Sequence, residues 1–222
     1  MALVEIKDVS KEFQQGETII PVLRGLSFSV QAGETLAIVG QSGSGKSTLL
    51  SLLAGLDQPS QGSIIVDNQN LNSLSQNELT RFRGRSIGII FQQFHLMRSL
   101  TALENVLLPL DILNIPNAEK KALDALELVG LASRARHLPQ QLSGGECQRV
   151  AIARAFVVEP RILLADEPSG NLDAATGEKV MNVLFDAVAQ RGMTLLLVTH
   201  DMHLASRCQK RLPLVQGQLQ TN

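Results

Sequence analysis

The segment "TLAIVGQSGSGKSTLLSLLAGL", residues 35–56, limits the possible folds of this chain more than any other stretch. A short apolar run suited to a buried parallel strand leads into Gly40-x4-Gly45-Lys46-Ser47, and a run of helical character follows. Glycines in such a turn let successive backbone N–H groups point into one concavity, and the helix N-terminus adds partial positive charge. Phosphate oxygens fit that arrangement. The expected cradle is Gly40, Ser42, Gly43, Ser44, Gly45, Lys46, Ser47 and Thr48, with Lys46 on the β- and γ-phosphates and Ser47 on Mg²⁺.

The rest of the chain supplies the alternation that a parallel sheet needs. "LVEIKDVSKEF" and "LRGLSFSVQAGE" read as β-rich segments, "GSIIVD" and "IGIIFQQ" as strands, and Ser75-x-x-Glu78 as a capping box opening a short helix. From about Phe94 to Gln141 the pattern turns helical, with Thr101-x-x-Glu104 as another capping box and no strand signal. Alternation resumes with the helix after "SGGE", the strand "RILLAD", a helix at about Glu178 to Arg191, the strand "TLLLVTH", and a terminal hairpin around Gly217. The expected organisation is one α/β domain over residues 1–222 with a helical subdomain inserted at 94–141.

Composition narrows the function classes. With 222 residues, 44% apolar and 18% charged, the chain can bury one substantial core. A net charge of -1 without a Lys/Arg block predicts no nucleic-acid partner. Two cysteines, Cys147 and Cys208, form no disulfide framework and match no zinc spacing, which suits a reducing compartment. Neither a signal peptide nor a run of membrane-spanning length is legible, so any membrane work is expected to be done with another chain.

Three strand ends carry the remaining chemistry. "RILLADEP" places Asp166 and Glu167 at the carboxyl edge of a parallel strand, where ligands of α/β sheets sit. Asp166 is expected to hold Mg²⁺ through its water shell, and Glu167 to act as general base on the attacking water. His200 ends "TLLLVTH" and is either a γ-phosphate donor or a structural residue; Gln92, after "IGIIF", offers an amide to Mg²⁺ or to the water. Phe13, in a loop-like setting, either stacks on adenine or staples the first sheet from beneath. No Asn-Lys-x-Asp segment for reading guanine is present.

"LSGGE", Leu142 to Glu146, reads as a second anion cradle within one chain. Ser143 and Glu146 form a capping box by themselves, but two adjacent glycines go beyond what a helix start needs. A second cradle makes sense if it closes over the nucleotide of a neighbouring copy.

In order and spacing, "GQSGSGKST", Gln92, "LSGGE", "ILLADEP", "SGNLD" and His200 resemble the ATP-binding-cassette (ABC) ATPases over essentially the whole chain. The resemblance implies an α/β P-loop NTPase core with an N-terminal antiparallel β-subdomain and an inserted α-helical subdomain. It implies ATP as substrate, Mg²⁺ as its counter-ion, and a head-to-tail homodimer in which each ATP meets one copy's P-loop and the other's Ser143, Gly144, Gly145 and Glu146. Asp173 of "SGNLD" would couple the two sites across the interface.

"ADEPSGNLD" and "FQQFHLM…LTALENVLLP" resemble the branch that serves lipoprotein release, macrolide export and cell division. That branch implies an integral membrane permease with a large periplasmic domain as partner, and a place on the cytoplasmic face of the bacterial inner membrane. The groove around Phe94 to Leu110 would receive a permease helix. A soluble ABC ATPase acting on ribosomes or DNA is the alternative, but the tandem cassette, long coiled coil and basic arm of such proteins are missing. Phe13 stands where the family commonly has Tyr, Glu146 where it has Gln, and Cys147 where Gln is frequent. A thiol at a helix N-terminus opens redox sensitivity, against the plainer reading of a partly buried residue.

Overall fold

The computed structural model describes residues 2–220. These form two compact units, one built from the chain up to Arg83 and from Thr194 onward, the other running from Gly84 to Met193.

The first unit opens with two long strands, β1 (Ala2–Gln15) and β2 (Thr18–Gln31), paired antiparallel through a turn at Gly16. Leu3, Val4, Ile6 and Val9 of β1 are buried; Val4 and Ile6 follow strand alternation, and an irregularity between Ile6 and Val9, where Asp8 takes φ 51°, changes the phase before Val9. β3 (Thr35–Val39) follows, then α1 (Lys46–Leu53), β4 (Gln61–Val66) and the short β5 (Gln69–Asn70). β4 joins the other edge of β1, completing an antiparallel sheet in the order β2-β1-β4-β5. α2 (Gln76–Ser86) starts at the expected Ser75–Glu78 box, in which Glu78 Oε2 accepts from Ser75 N at 2.8 Å.

In the second unit, β6 (Ile87–Ile90) is followed by α3 (Ala102–Ile112), α4 (Ala118–Leu128) and α5 (Gly144–Phe156), then β7 (Ile162–Asp166) and α6 (Ala174–Arg191). β6 and β7 pair in parallel. Among the described residues, the stretch between β6 and β7 contains helices and turns but no strand. Gly88 of β6 lies where any Cβ would overlap the Ala155 carbonyl of α5, so a glycine lets helix and strand backbones touch. α6 begins earlier than the sequence suggested, because Asp173 caps it by accepting from Thr176 N at 3.0 Å.

The chain returns to the first unit as β8 (Thr194–Thr199), α7 (Met202–Ser206), β9 (Lys210–Val215) and β10 (Gln218–Leu219). β3 runs parallel to β8 on one side and to β9 on the other, while β9 and β10 make the expected terminal hairpin. Every residue of β8 is buried, as for a strand covered on both faces. Among the described residues no helix is long and apolar enough to cross a membrane.

Candidate functional site

In the first unit the loop from Gly40 to Gly45 connects β3 to α1, the strand-to-helix setting that phosphate binding requires. Gly45 adopts φ 101°, and a Cβ there would lie 2.6 Å from Leu23 Cδ2 of β2. Both conformation and space therefore demand glycine. Gly217 N donates to Ser44 O at 3.2 Å, which ties the β9–β10 turn to the loop. Lys46 is buried, 5% exposed, and its Nζ donates to the carbonyls of Gly40 and Gln41 at 2.9 Å each. Ser44 Oγ is buried without a hydrogen-bond partner among the described residues. Ser47 is exposed at the first turn of α1.

Beside this loop lies an open groove of about 430 Å³, lined by Phe13, Ser47, Thr48, Ser51, Leu56 and Asp57. Phe13 is 43% exposed. Its expected loop setting is corrected: it belongs to β1, opposite Ile20 of β2, because the hairpin stays paired to Gln15 and Thr18. His200 follows the last residue of β8 and is exposed, and Asp201 next to it caps α7 by accepting from His203 N at 2.8 Å.

In the second unit Asp166 is the last residue of β7 and Glu167 the first beyond it, both half-buried. Glu167 sits at φ 43°, in the left-handed region that a non-glycine residue occupies only at a cost. Its carbonyl accepts from Gly170 N at 2.9 Å. Gln92 packs against the same turn: its carbonyl accepts from Asn171 Nδ2 at 3.0 Å, and a Cβ on Gly170 would lie 2.8 Å from Gln92 Nε2.

The segment that begins at Gln92 is held by α5. Gln148 Nε2 donates to Phe91 O at 3.2 Å, while Arg154 donates to His95 O at 2.7 Å and to Phe94 O at 3.0 Å. Burial holds the Arg154 guanidinium below its usual range. Further along, the fully buried Asn105 accepts from Met97 N at 2.8 Å and donates to Leu100 O at 3.0 Å. Phe94, Leu96, Arg98 and Pro139 contribute to a groove of about 400 Å³.

Ser143 is the N-cap of α5 in a complete capping box: Glu146 Oε2 accepts from Ser143 N at 2.8 Å, and Ser143 Oγ accepts from Glu146 N at 3.3 Å. These bonds, chiefly the one from the Ser143 backbone, hold the Glu146 carboxyl below its usual range. The two glycines differ in their reasons. Gly144 is exposed, whereas Gly145 is buried where a Cβ would overlap Thr176 Cγ2 of α6. Helix packing thus accounts for one glycine of the pair. Asp173 is exposed and employed as the α6 cap. Cys147 is 7% exposed, and burial, with Glu146 adding to it, pushes its thiol up.

Sequence reasoning missed Lys11, Asp57, Asn105 and Arg154. Lys11 binds Asp57 and Arg154 binds Phe94, separations of 46 and 60 residues that leave no local pattern. The run "LTALENV" did carry a hint for Asn105, a polar residue on the apolar face of α3.

A glycine-shaped loop between a parallel strand and a helix, with a lysine folded into it, defines the class as an α/β P-loop nucleotide-hydrolysing domain. The model of the "ABC transporter" family matches residues 23–170. The uncharacterized ABC transporter ATP-binding protein YbbA of Escherichia coli K12 is 48% identical over 220 residues, 98% of this chain and 96% of its own. The lipoprotein-releasing system ATP-binding protein LolD of Geobacter metallireducens is 46% identical, with 98% of each chain covered. Among solved structures, the dimeric post-hydrolysis state of the ATP-binding cassette MJ0796 bound to ADP and Pi matches with a TM-score of 0.90 and 42% identity, over 98% of this chain and 97% of that one. The chain belongs to the ABC transporter ATP-binding family, and it is an ATPase.

Proposed function

We propose that this protein is the ATP-hydrolysing subunit of a membrane complex of the lipoprotein-release and macrolide-export branch. Two copies would meet head to tail and power an integral permease with a large periplasmic domain. The observation that carries the reading is the presence in one chain of two phosphate-suited elements, the Gly40–Gly45 loop and the exposed Ser143–Gly144 helix start. The names of the LolD relative and of the dimeric MJ0796 structures support it.

On this reading ATP lies with its triphosphate on the Gly40–Thr48 loop. Lys46 reaches the β- and γ-phosphates from its place in the loop, and Phe13 stacks on the base over the groove it lines. Glu167 takes a proton from the attacking water, and His200 and Gln92 orient water and γ-phosphate. Ser143, Gly144, Gly145 and Glu146 of a second copy complete each site, and Asp173 couples the two.

On this reading the hydroxyl of Ser47, the amide oxygen of Gln92 and the carboxylate of Asp166 would hold Mg²⁺, each being a hard oxygen of the kind it takes. Among the described residues no group of three or more His, Cys, Asp or Glu forms a cage. Bound there, Mg²⁺ would neutralise charge between the β- and γ-phosphates.

The Phe94–Pro139 groove is our candidate for docking the permease, which would place the protein on the cytoplasmic face of the bacterial inner membrane. The test is a pull-down of tagged Glu167→Gln protein from solubilised native membranes in Mg-ATP. Recovery of a permease with a large external domain is the expected result. Recovery of only ribosomal or DNA-bound material would overturn the reading in favour of a soluble ATPase.

A further inference from the structure

Lys11 joins the two elements that flank the groove by the P-loop helix. It is on β1 two residues before Phe13, so strand periodicity puts both side chains on one face. The irregularity of the β1–β2 pairing between Lys11/Leu23 and Glu12/Pro21 skips Val22 on β2, leaving β1 itself regular across this stretch. Lys11 Nζ lies 2.8 Å from both carboxylate oxygens of Asp57 and 2.8 Å from Gln58 O. It also lies 4.8 Å from the centroid of the Phe13 ring.

Asp57 lies in the turn just after α1 and, like Phe13, lines the groove; Lys11 does not. The one ammonium thus sits over the ring while it holds a residue of the groove wall. Ser60 reinforces the tie, since its N donates to Ser10 O at 2.8 Å and its Oγ accepts from Glu12 N at 3.0 Å.

The Lys11 side chain is 11% exposed and that of Asp57 38%, so the pair is partly buried. A partly exposed ion pair of this kind contributes little net stability. What the pair does supply is geometry. The same ammonium grips the exit of the helix that begins at the phosphate loop and holds the face of the ring by attraction to the π-cloud.

We propose that Lys11 is the positioning residue of the base-stacking surface, fixing the Phe13 ring at a set distance from the phosphate-binding helix by its simultaneous hold on Asp57. The proposal rests on the reading of Phe13 as the residue that stacks on the base. A nucleotide contacts the ring and the loop at once, so loss of the tie weakens the base contact while leaving the phosphate contact intact.

The experiment compares Lys11→Met, Lys11→Arg, Asp57→Asn and Phe13→Ala in the full chain. It measures kcat and KM for Mg-ATP, the inhibition constant of inorganic tripolyphosphate as competitor, and the thermal midpoint of each variant. Lys11→Met is expected to raise the ATP KM roughly three- to tenfold, the size of a partly desolvated cation–π contact, with kcat within about twofold and tripolyphosphate inhibition unchanged. Lys11→Arg should restore most of the KM, and in the Phe13→Ala background Lys11→Met should have no further effect.

If Lys11→Met folds poorly, Asp57→Asn, which keeps the lysine but loosens its grip, should give the same split between ATP and tripolyphosphate. An unchanged ATP KM in Lys11→Met, with a raised one in Phe13→Ala, overturns the proposal alone. An equal loss for ATP and tripolyphosphate overturns it in favour of a distorted loop. An unchanged ATP KM in Phe13→Ala overturns the stacking reading and the proposal with it.

Discussion

A methyl group added at Gly145 would overlap Cγ2 of Thr176, so α5 and α6 approach each other through a position where one side has no side chain. Gly145→Ala is expected to destabilise the fold by about 1–3 kcal/mol through overpacking. Thr176→Ser removes the offending methyl and keeps the hydroxyl, and should return most of the loss in the double variant. Urea unfolding of the single and double variants measures it; a double variant as unstable as Gly145→Ala would refute the steric account.

Glu167 is the proposed base, and its removal should act on turnover rather than on binding. Glu167→Gln is expected to lower kcat by about 10²–10⁴-fold while Mg-ATP still binds. Phosphate release and nucleotide binding measured side by side check this, and parental turnover in the variant would exclude Glu167 from the role.

The carboxylates of Glu78, Glu104 and Glu146 each close a capping box, and in each case hydrogen bonds from the cap residue hold the carboxyl below its ordinary value of 4.5. A carboxylate with a depressed native pKa contributes stability that is present above the unfolded value and lost as pH falls through the native one. Stability should therefore decline as pH drops below about 4.5. A triple Glu→Gln variant should show a shallower decline in urea midpoint over that range.

At the alkaline end the sign reverses. Burial pushes the Cys208 thiol from its ordinary value of 9.0 up to about 11. The native state keeps its proton after the unfolded chain has released it, so this contribution is whole below pH 9.0 and fades as pH rises towards about 11. Cys208→Ala should flatten the alkaline limb of stability against pH. In the native parent at neutral pH, Cys208 and the buried Cys147 should both resist a thiol-specific reagent until the chain is unfolded.

Much of the fold was legible because its signals are local. The strand, glycine loop and helix around Lys46 are contiguous, and the boxes at Ser75, Thr101 and Ser143 announce helix starts within a span of four letters. What escaped notice depended on distant partners. Gly177 looks like a helix breaker, yet α6 runs through it, since a Cβ there would lie 3.3 Å from Ser169 Cβ and glycine lets the helix pack closely on that turn. The five-residue α7 is too short to show a period; its legible trace was Asp201, which caps it.

The candidate site divides the same way. Residue types and order marked Lys46, Asp166, Glu167 and His200, whereas the reason for Gly145 lay in Thr176, on another helix. The strand setting of Phe13 was hidden because "KEFQQGETII" has a polar tip that reads as loop, although the hairpin continues through it.

The hold of Lys46 on the Gly40 and Gln41 carbonyls has a kinetic consequence on the proposed reading. The lysine braces the loop from within through two of its carbonyls, so a triphosphate seated there has little chain to organise. The barrier to nucleotide entry should be governed by desolvation and encounter, and lowering the salt concentration should speed association without altering the shape of the loop.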